Sequence, residues 1–184
     1  NMCSMLAFVS ASGVSTAGAA VTPSAFTLMG AGVRATFNIG NAQGNVKVSF
    51  DETANKDVLE FNYSLPKGSV IGIWTKTYPP GMNAAAVDAV RIGIKALNPE
   101  QLERVLVSVE IKGEMGVQNI PLYLKPGWNS TRELINWNMI GELKEVVIVV
   151  KSVGAEELTR GILYFDFDFY KLMFLQKNSI LMKV

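Results

Sequence analysis

Alternation of apolar and polar residues with a period of two constrains this chain more than any other feature. In "NVKVSF" Val46, Val48 and Phe50 fall on one side and Lys47 and Ser49 on the other, and in "VLEFNYSL" Leu59, Phe61, Tyr63 and Leu65 oppose Glu60, Asn62 and Ser64. Successive side chains of a strand point to opposite faces, so each stretch predicts a half-buried β-strand. "VRIGIKA", "RVLVSVEIK" and "IPLYLK" repeat the pattern, and Val105, Val107, Val109 and Ile111 form the cleanest inward row. "EVVIVVK" departs from it. Val146 to Val150 is apolar on both faces, as a central strand covered from both sides requires. Gly, Pro and Asn cluster between the runs, in "NIGNAQGN", "DETANKD", "LPKGS", "YPPGMN", "LNPEQ" and "KPGWN". About eight to ten short strands separated by such turns predict an all-β antiparallel sandwich or jelly roll.

One segment breaks the period. "NSTRELINWNMIGELKEV" carries Ser130 with Glu133 three residues on, a capping-box spacing, and Leu134, Trp137, Ile140 and Leu143 recur at near-helical intervals. A short helix across one end of the sandwich is expected here, weakened by Asn138 and Gly141.

The chain has 184 residues, about one domain's worth, which is enough to bury a core without disulfides. Its 17 basic and 16 acidic residues are scattered, giving a net charge of +1 without the concentrated basic surface that nucleic-acid binding needs. The balance of 49% hydrophobic to 18% charged residues is tilted by the two ends. No charged residue precedes Arg34, and "MLAFVSASGVSTAGAAVTPSAF" resembles the apolar region and small-residue cleavage zone of a secretory signal, without its basic start. Residues 1–23 are thus expected to be an export remnant, an arm that contacts a partner, or a membrane-associated segment. Residues 24–172 are expected to be the sandwich, and residues 173–184 an apolar tail. The protein is expected to be exported to a periplasmic, cell-surface or extracellular location. Cys3 is alone and makes no internal disulfide.

The residue inventory narrows the chemistry. There is no histidine, which removes the commonest general base and the favoured transition-metal ligand. No phosphate-binding glycine loop is present. Two acids stand out in "GILYFDFDFYKL", where Leu163, Phe165, Phe167 and Phe169 share one face of a strand and Tyr164, Asp166, Asp168 and Tyr170 the other. Carboxylates two residues apart on a strand sit about 6 to 7 Å from each other. Glycoside hydrolysis uses carboxyl pairs about 5 to 10 Å apart, but it also needs a deep cleft, and a non-enzyme is expected. Two explanations of the pair stay open: a solvated face neutralised by Lys or Arg on a neighbouring strand, or a cation site, with Ca²⁺ the natural ion for carboxylate and carbonyl oxygens.

The order "IPLYLKPGWN", "LINWNMIGELKEVVIVV" and "GILYFDFDFYKL" resembles the C-terminal half of carbohydrate-binding modules of the galactose-binding-like jelly-roll kind, and "FDETANKDVLEFNYSL" and "VDAVRIGIKA" resemble their early strands. The resemblance covers about residues 37–172. It implies that Asp166 is the last-strand Asp that often supports a structural calcium or a turn near the start of the domain, that Asp51 lies near that first-strand region, and that Trp128 and Trp137 occupy mostly structural positions. Sugar recognition needs exposed aromatic faces and planar polar groups. Trp74, Lys76 and Tyr78 are the first candidates because alternation puts them on one face, followed by Tyr164, Tyr170 and Tyr123. Asp166, Asp168 and Asp51 are the candidate metal ligands. Two functions follow as expectations: a non-catalytic module that binds a poly- or oligosaccharide, or a structural adaptor that keeps the fold and docks on a partner protein through its apolar ends.

Overall fold

The alternating stretches pair as strands, and the pairing order makes a sandwich. A computed structural model describes residues 34–172 apart from position 79, with backbone alone at 34–36 and 74–77. The expectations for residues 1–23 and 173–184 lie outside these residues. Among them, ten strands run in order: β1 (Arg34–Ile39), β2 (Gln43–Asp51), β3 (Lys56–Pro66), β4 (Val70–Thr77), β5 (Ala89–Ala96), β6 (Val105–Gly113), β7 (Val117–Leu122), β8 (Asn129–Leu134), β9 (Leu143–Ser152) and β10 (Leu158–Tyr170). They form two five-stranded antiparallel sheets, ordered β1-β4-β9-β6-β7 and β2-β3-β10-β5-β8. From β3 onward, consecutive strands alternate between sheets up to the pair β6 and β7, which is the winding of a jelly roll. β1 and β2 then widen each sheet by one strand on the same side.

The expected inward rows form the core. Val105, Val107, Val109 and Ile111 are at most 3% exposed, as are Leu59, Phe61 and Leu65. β9 is central, between β4 and β6, and its Val146, Val147, Ile148 and Val150 are fully buried. Phe61 of β3 and Phe165 of β10 meet edge to face with ring centroids 6.4 Å apart, an arrangement that adds about 0.5–1.5 kcal/mol to the burial of the rings. Gly161 opens a gap beside them. A Cβ there would collide with the Tyr63 hydroxyl, which instead donates a 2.6 Å hydrogen bond to Gln101 Oε1 inside the core.

Three expectations change. Val48 and Phe50 are 50% and 55% exposed, although Val48 pairs with the inward Leu59. Their strand is the outermost of its sheet, and an edge position is covered from one side only. The Ser130–Glu133 spacing caps no helix, because both residues lie in β8, paired through Thr131↔Ile92 and Val90↔Glu133. Pairing along β5 overrides the local helical signal. The helix α1 spans only Trp137–Ile140, capped by Asn136, whose side chain accepts from the Met139 N–H, and ended at Gly141 with φ +73°. Lastly, Tyr78 does not lie on an outward face. β4 pairs Trp74 with Val147 and Lys76 with Val146, so one extra residue is inserted between them. This bulge reverses the alternation, and Tyr78 ends 3% exposed, edge to face with Phe169 at 6.2 Å.

Candidate functional site

The outward face of the second sheet carries the charged residues that the strand pattern pushed out of the core. β10 lies between β3 and β5, and the register Asp168↔Arg91 and Asp166↔Gly93 sets both acids beside β5. Arg91 answers them. Its Nη2 donates to Asp166 Oδ2 at 2.6 Å and its Nε to Asp168 Oδ2 at 2.8 Å. Lys56, from the first position of β3, donates a second charged hydrogen bond to Asp166. The repulsion between the two carboxylates is therefore relieved by side chains of neighbouring strands.

Beside this group stands a second one. The turn joining β2 to β3 folds across the sheet and brings Asp51, 3% exposed, to Lys95 of β5 at 3.1 Å. Thr53 N–H donates to Asp51 Oδ1 at 2.8 Å, and Lys95 also reaches Thr53 Oγ1 at 3.3 Å. Trp128, which enters β8 from the β7–β8 loop, donates its Nε1–H to Asp51 Oδ2 at 2.6 Å. That bond fixes the indole ring and ties the β2–β3 turn to the root of β8.

Between the two groups lies a trough of about 310 Å³ lined by Ala54, Lys56, Arg91, Gly93, Trp128, Asn129, Ser130 and Asp166. Gly93 is its floor. A Cβ there would stand 3.3 to 3.4 Å from Arg91 Nη1, Asp166 Cβ and Trp128 Cζ3, so the missing side chain is part of what leaves the space open. The trough offers an aromatic edge, a carboxylate, a guanidinium, an ammonium and the amide of Asn129 around one apolar floor. Its volume is at the lower end of the roughly 300–1,000 Å³ typical of small-molecule sites.

The electrostatics keep Asp166 and Asp51 ionised. Burial pushes the Asp166 carboxyl up, but the hydrogen bonds from Lys56 and Arg91 outweigh it and hold the group below the ordinary carboxylate range. Burial likewise raises Asp51, and Lys95, the Thr53 N–H and Trp128 together bring it below that range. Arg91 is held charged: burial lowers its pKa, and the two aspartates raise it further than burial lowers it. An Asp166 ionised at neutral pH accepts hydrogen bonds and has no proton to give, whereas a glycosidic general acid needs a raised pKa.

The three expected metal ligands do not fit a calcium site as they stand. Asp51 and Asp166 face cationic side chains, Asp168 is held by Arg91, and no group of three acidic or thiol ligands converges among the described residues. The expected sugar contacts scatter. Trp74 and Lys76 sit in β4 of the other sheet, and their side chains are outside the described residues. Tyr78 is in the core. Tyr164 pairs with Lys95, whose ammonium lies 5.9 Å from the ring centroid. Tyr170 is on the same face as Asp168, one row beyond it, opposite Ala89. Tyr123 is 73% exposed just past β7.

The residues that sequence reasoning missed are Lys56, Arg91, Gly93 and Trp128. Alternation places Arg91 and Gly93 outward but does not say which strand lies alongside, and "KPGWN" shows a turn without showing what its Trp covers.

Among solved structures, one from work on the promiscuous specificity of carbohydrate-binding modules of the β-sandwich superfamily superposes with a TM-score of 0.52 at 9% identity, over 84% of this chain and 62% of its own. The two chains share an antiparallel two-sheet β-sandwich fold. A family 11 carbohydrate-binding module of a cellulosomal cellulase from Clostridium thermocellum matches over 78% of this chain and 90% of its own, at 10% identity and a TM-score of 0.48. A carbohydrate-binding module that recognises mannan matches over 77% and 89%, at 13% identity and a TM-score of 0.48. No family model and no curated protein matches the sequence.

Proposed function

We propose that this protein is a non-catalytic glycan-binding module and that the trough over Gly93 is its binding site. The observation that carries the proposal is the convergence, on one face of a carbohydrate-binding-module fold, of an oriented Trp128 with the planar donors and acceptors of Arg91, Asp166 and Asn129. A pyranose has apolar C–H patches and a ring of hydroxyls. Trp128 and the bare backbone of Gly93 meet the first, while Asp166 accepts from hydroxyls and Arg91 and Lys56 donate to them. Charge-assisted bonds of this kind are about twice as strong as neutral ones, and Arg91 and Asp166 already hold each other in place, so little ordering remains to be done on binding.

Isothermal calorimetry against mixed-linkage β-1,3-1,4-glucan, mannan and β-1,4-galactan tests this, sugars of the kinds that carbohydrate-binding modules with similar sandwiches recognise. Saturable binding to one of them is expected, lost in Trp128→Ala and in Gly93→Val, and unchanged after chelator treatment. Binding that survives both substitutions would remove the trough from consideration and return attention to Trp74.

A further inference from the structure

Resting on the glycan-binding proposal, the shape of the trough assigns a narrower ligand. It is closed at one end and open at the other. The floor runs along β5, between the β2–β3 turn on one side and the start of β8 on the other. At the Lys95 row the two sides meet: the Trp128 Nε1–H to Asp51 Oδ2 bond of 2.6 Å joins them directly, and Lys95 fastens Asp51 to the sheet from below at 3.1 Å. Asp51 is 3% exposed, so this closure is packed and not a loose contact. Behind it, the Tyr164 ring is covered by Lys95.

The opposite end is different. Past Gly93 come Arg91, with 22% of its side chain exposed, and Asp168, with 57% exposed. Arg132 of β8 lies opposite Arg91 in the same row, and one row further on Tyr170 of β10 lies opposite Ala89. A saccharide entering from this side meets polar groups along its length and then stops against the indole of Trp128. A polymer lying across the whole sheet would have to pass through the Trp128–Asp51 closure.

We infer that the trough receives the end of a glycan chain, its terminal sugar seated over Gly93 against Trp128 and the next unit running out over Arg91 and Asp168 toward Tyr170. A continuous run of internal sugars is excluded by the closure. Asp51 acts here as a positioning residue, through its hold on Trp128.

The test compares the full chain's binding to mixed-linkage β-glucan, mannan and β-1,4-galactan before and after limited acid hydrolysis that raises the number of chain ends about tenfold at constant mass. Calorimetry reads both the stoichiometry and the half-saturating mass concentration. The expected result is one protein bound per chain end, with the half-saturating mass concentration falling about tenfold on hydrolysis. In Asp51→Asn the fall with hydrolysis should persist while affinity weakens, since the indole loses its charged acceptor. Binding that saturates at many proteins per chain and does not respond to hydrolysis overturns the end-recognition inference and leaves glycan binding standing. An absence of binding to all three polymers before and after hydrolysis overturns both.

Discussion

The two faces of β10 were written by the same alternation and meet opposite fates. Leu163, Phe165 and Phe169 are at most 5% exposed and close the core. Asp166, next to Phe165 in the chain and on the opposite face, is held by Lys56 and Arg91 at the rim of an open trough. The inner face depends on the number of apolar atoms removed from water, and any close-packed neighbour serves. The outer face depends on particular partners at particular distances. Burial is forgiving about identity and unforgiving about volume, and an ion pair is the reverse.

This contrast can be broken by substitution on either side. The largest effect should come from the inner face: Phe165→Ala, at a position 1% exposed, is expected to cost about 3–5 kcal/mol in urea unfolding. A loss below about 1 kcal/mol would mean that the two sheets are not packed through this ring. On the outer face, Arg91→Ala should cost about 1–3 kcal/mol, because it leaves the largely covered Asp166 with Lys56 alone and frees Asp168. Glycan binding should disappear with it, and stability lost without any loss of binding would separate the charge cluster from the site.

Acid should give the smallest effect, and it sharpens the same comparison. Asp51 and Asp166 are held below their ordinary values in the folded protein, as is Asp88, which accepts hydrogen bonds from the Lys171 ammonium and the Leu172 N–H. The unfolded chain therefore takes up protons first as pH falls. The stability these groups contribute is complete above the unfolded value of about 3.9 and is lost as pH falls through the lower folded values. Thermal unfolding followed from pH 6 to pH 2 should show the midpoint dropping below about pH 4, with a shallower drop in Asp51→Asn than in the wild type. Equal slopes in the two proteins would place the acid sensitivity elsewhere. Phe165→Ala should lower the midpoint at every pH without altering the slope, because burial of a ring does not titrate.

Much of the fold was legible because strands announce themselves. Period-two rows such as Val105 to Ile111 require one wet and one dry face, and the doubly apolar Val146 to Val150 requires a central place. The misreadings share a cause. The capping-box spacing of Ser130 and Glu133 lost to pairing with β5, the row Val48–Phe50 depended on a second sheet that does not reach over the edge, and Tyr78 was turned inward by a bulge between Trp74 and Lys76 that no local signal marked. The site was less legible still. Asp166 and Asp168 were conspicuous in "GILYFDFDFYKL", and an arginine or lysine partner was one of the two explanations open for them. Arg91, Lys56 and Trp128 come from three other segments, and only the strand order brings them there.

Sequence alone determined that this chain builds an antiparallel sandwich and that two carboxylates face out from its last strand, since alternation and turn residues act over a few positions and are written locally. The tertiary structure decided that β10 lies between β3 and β5, that the β2–β3 turn folds onto Trp128, and that a trough opens over Gly93. These are long-range matters of register and strand order, fixed by how two sheets bury their faces together, and no stretch of sequence carries them by itself.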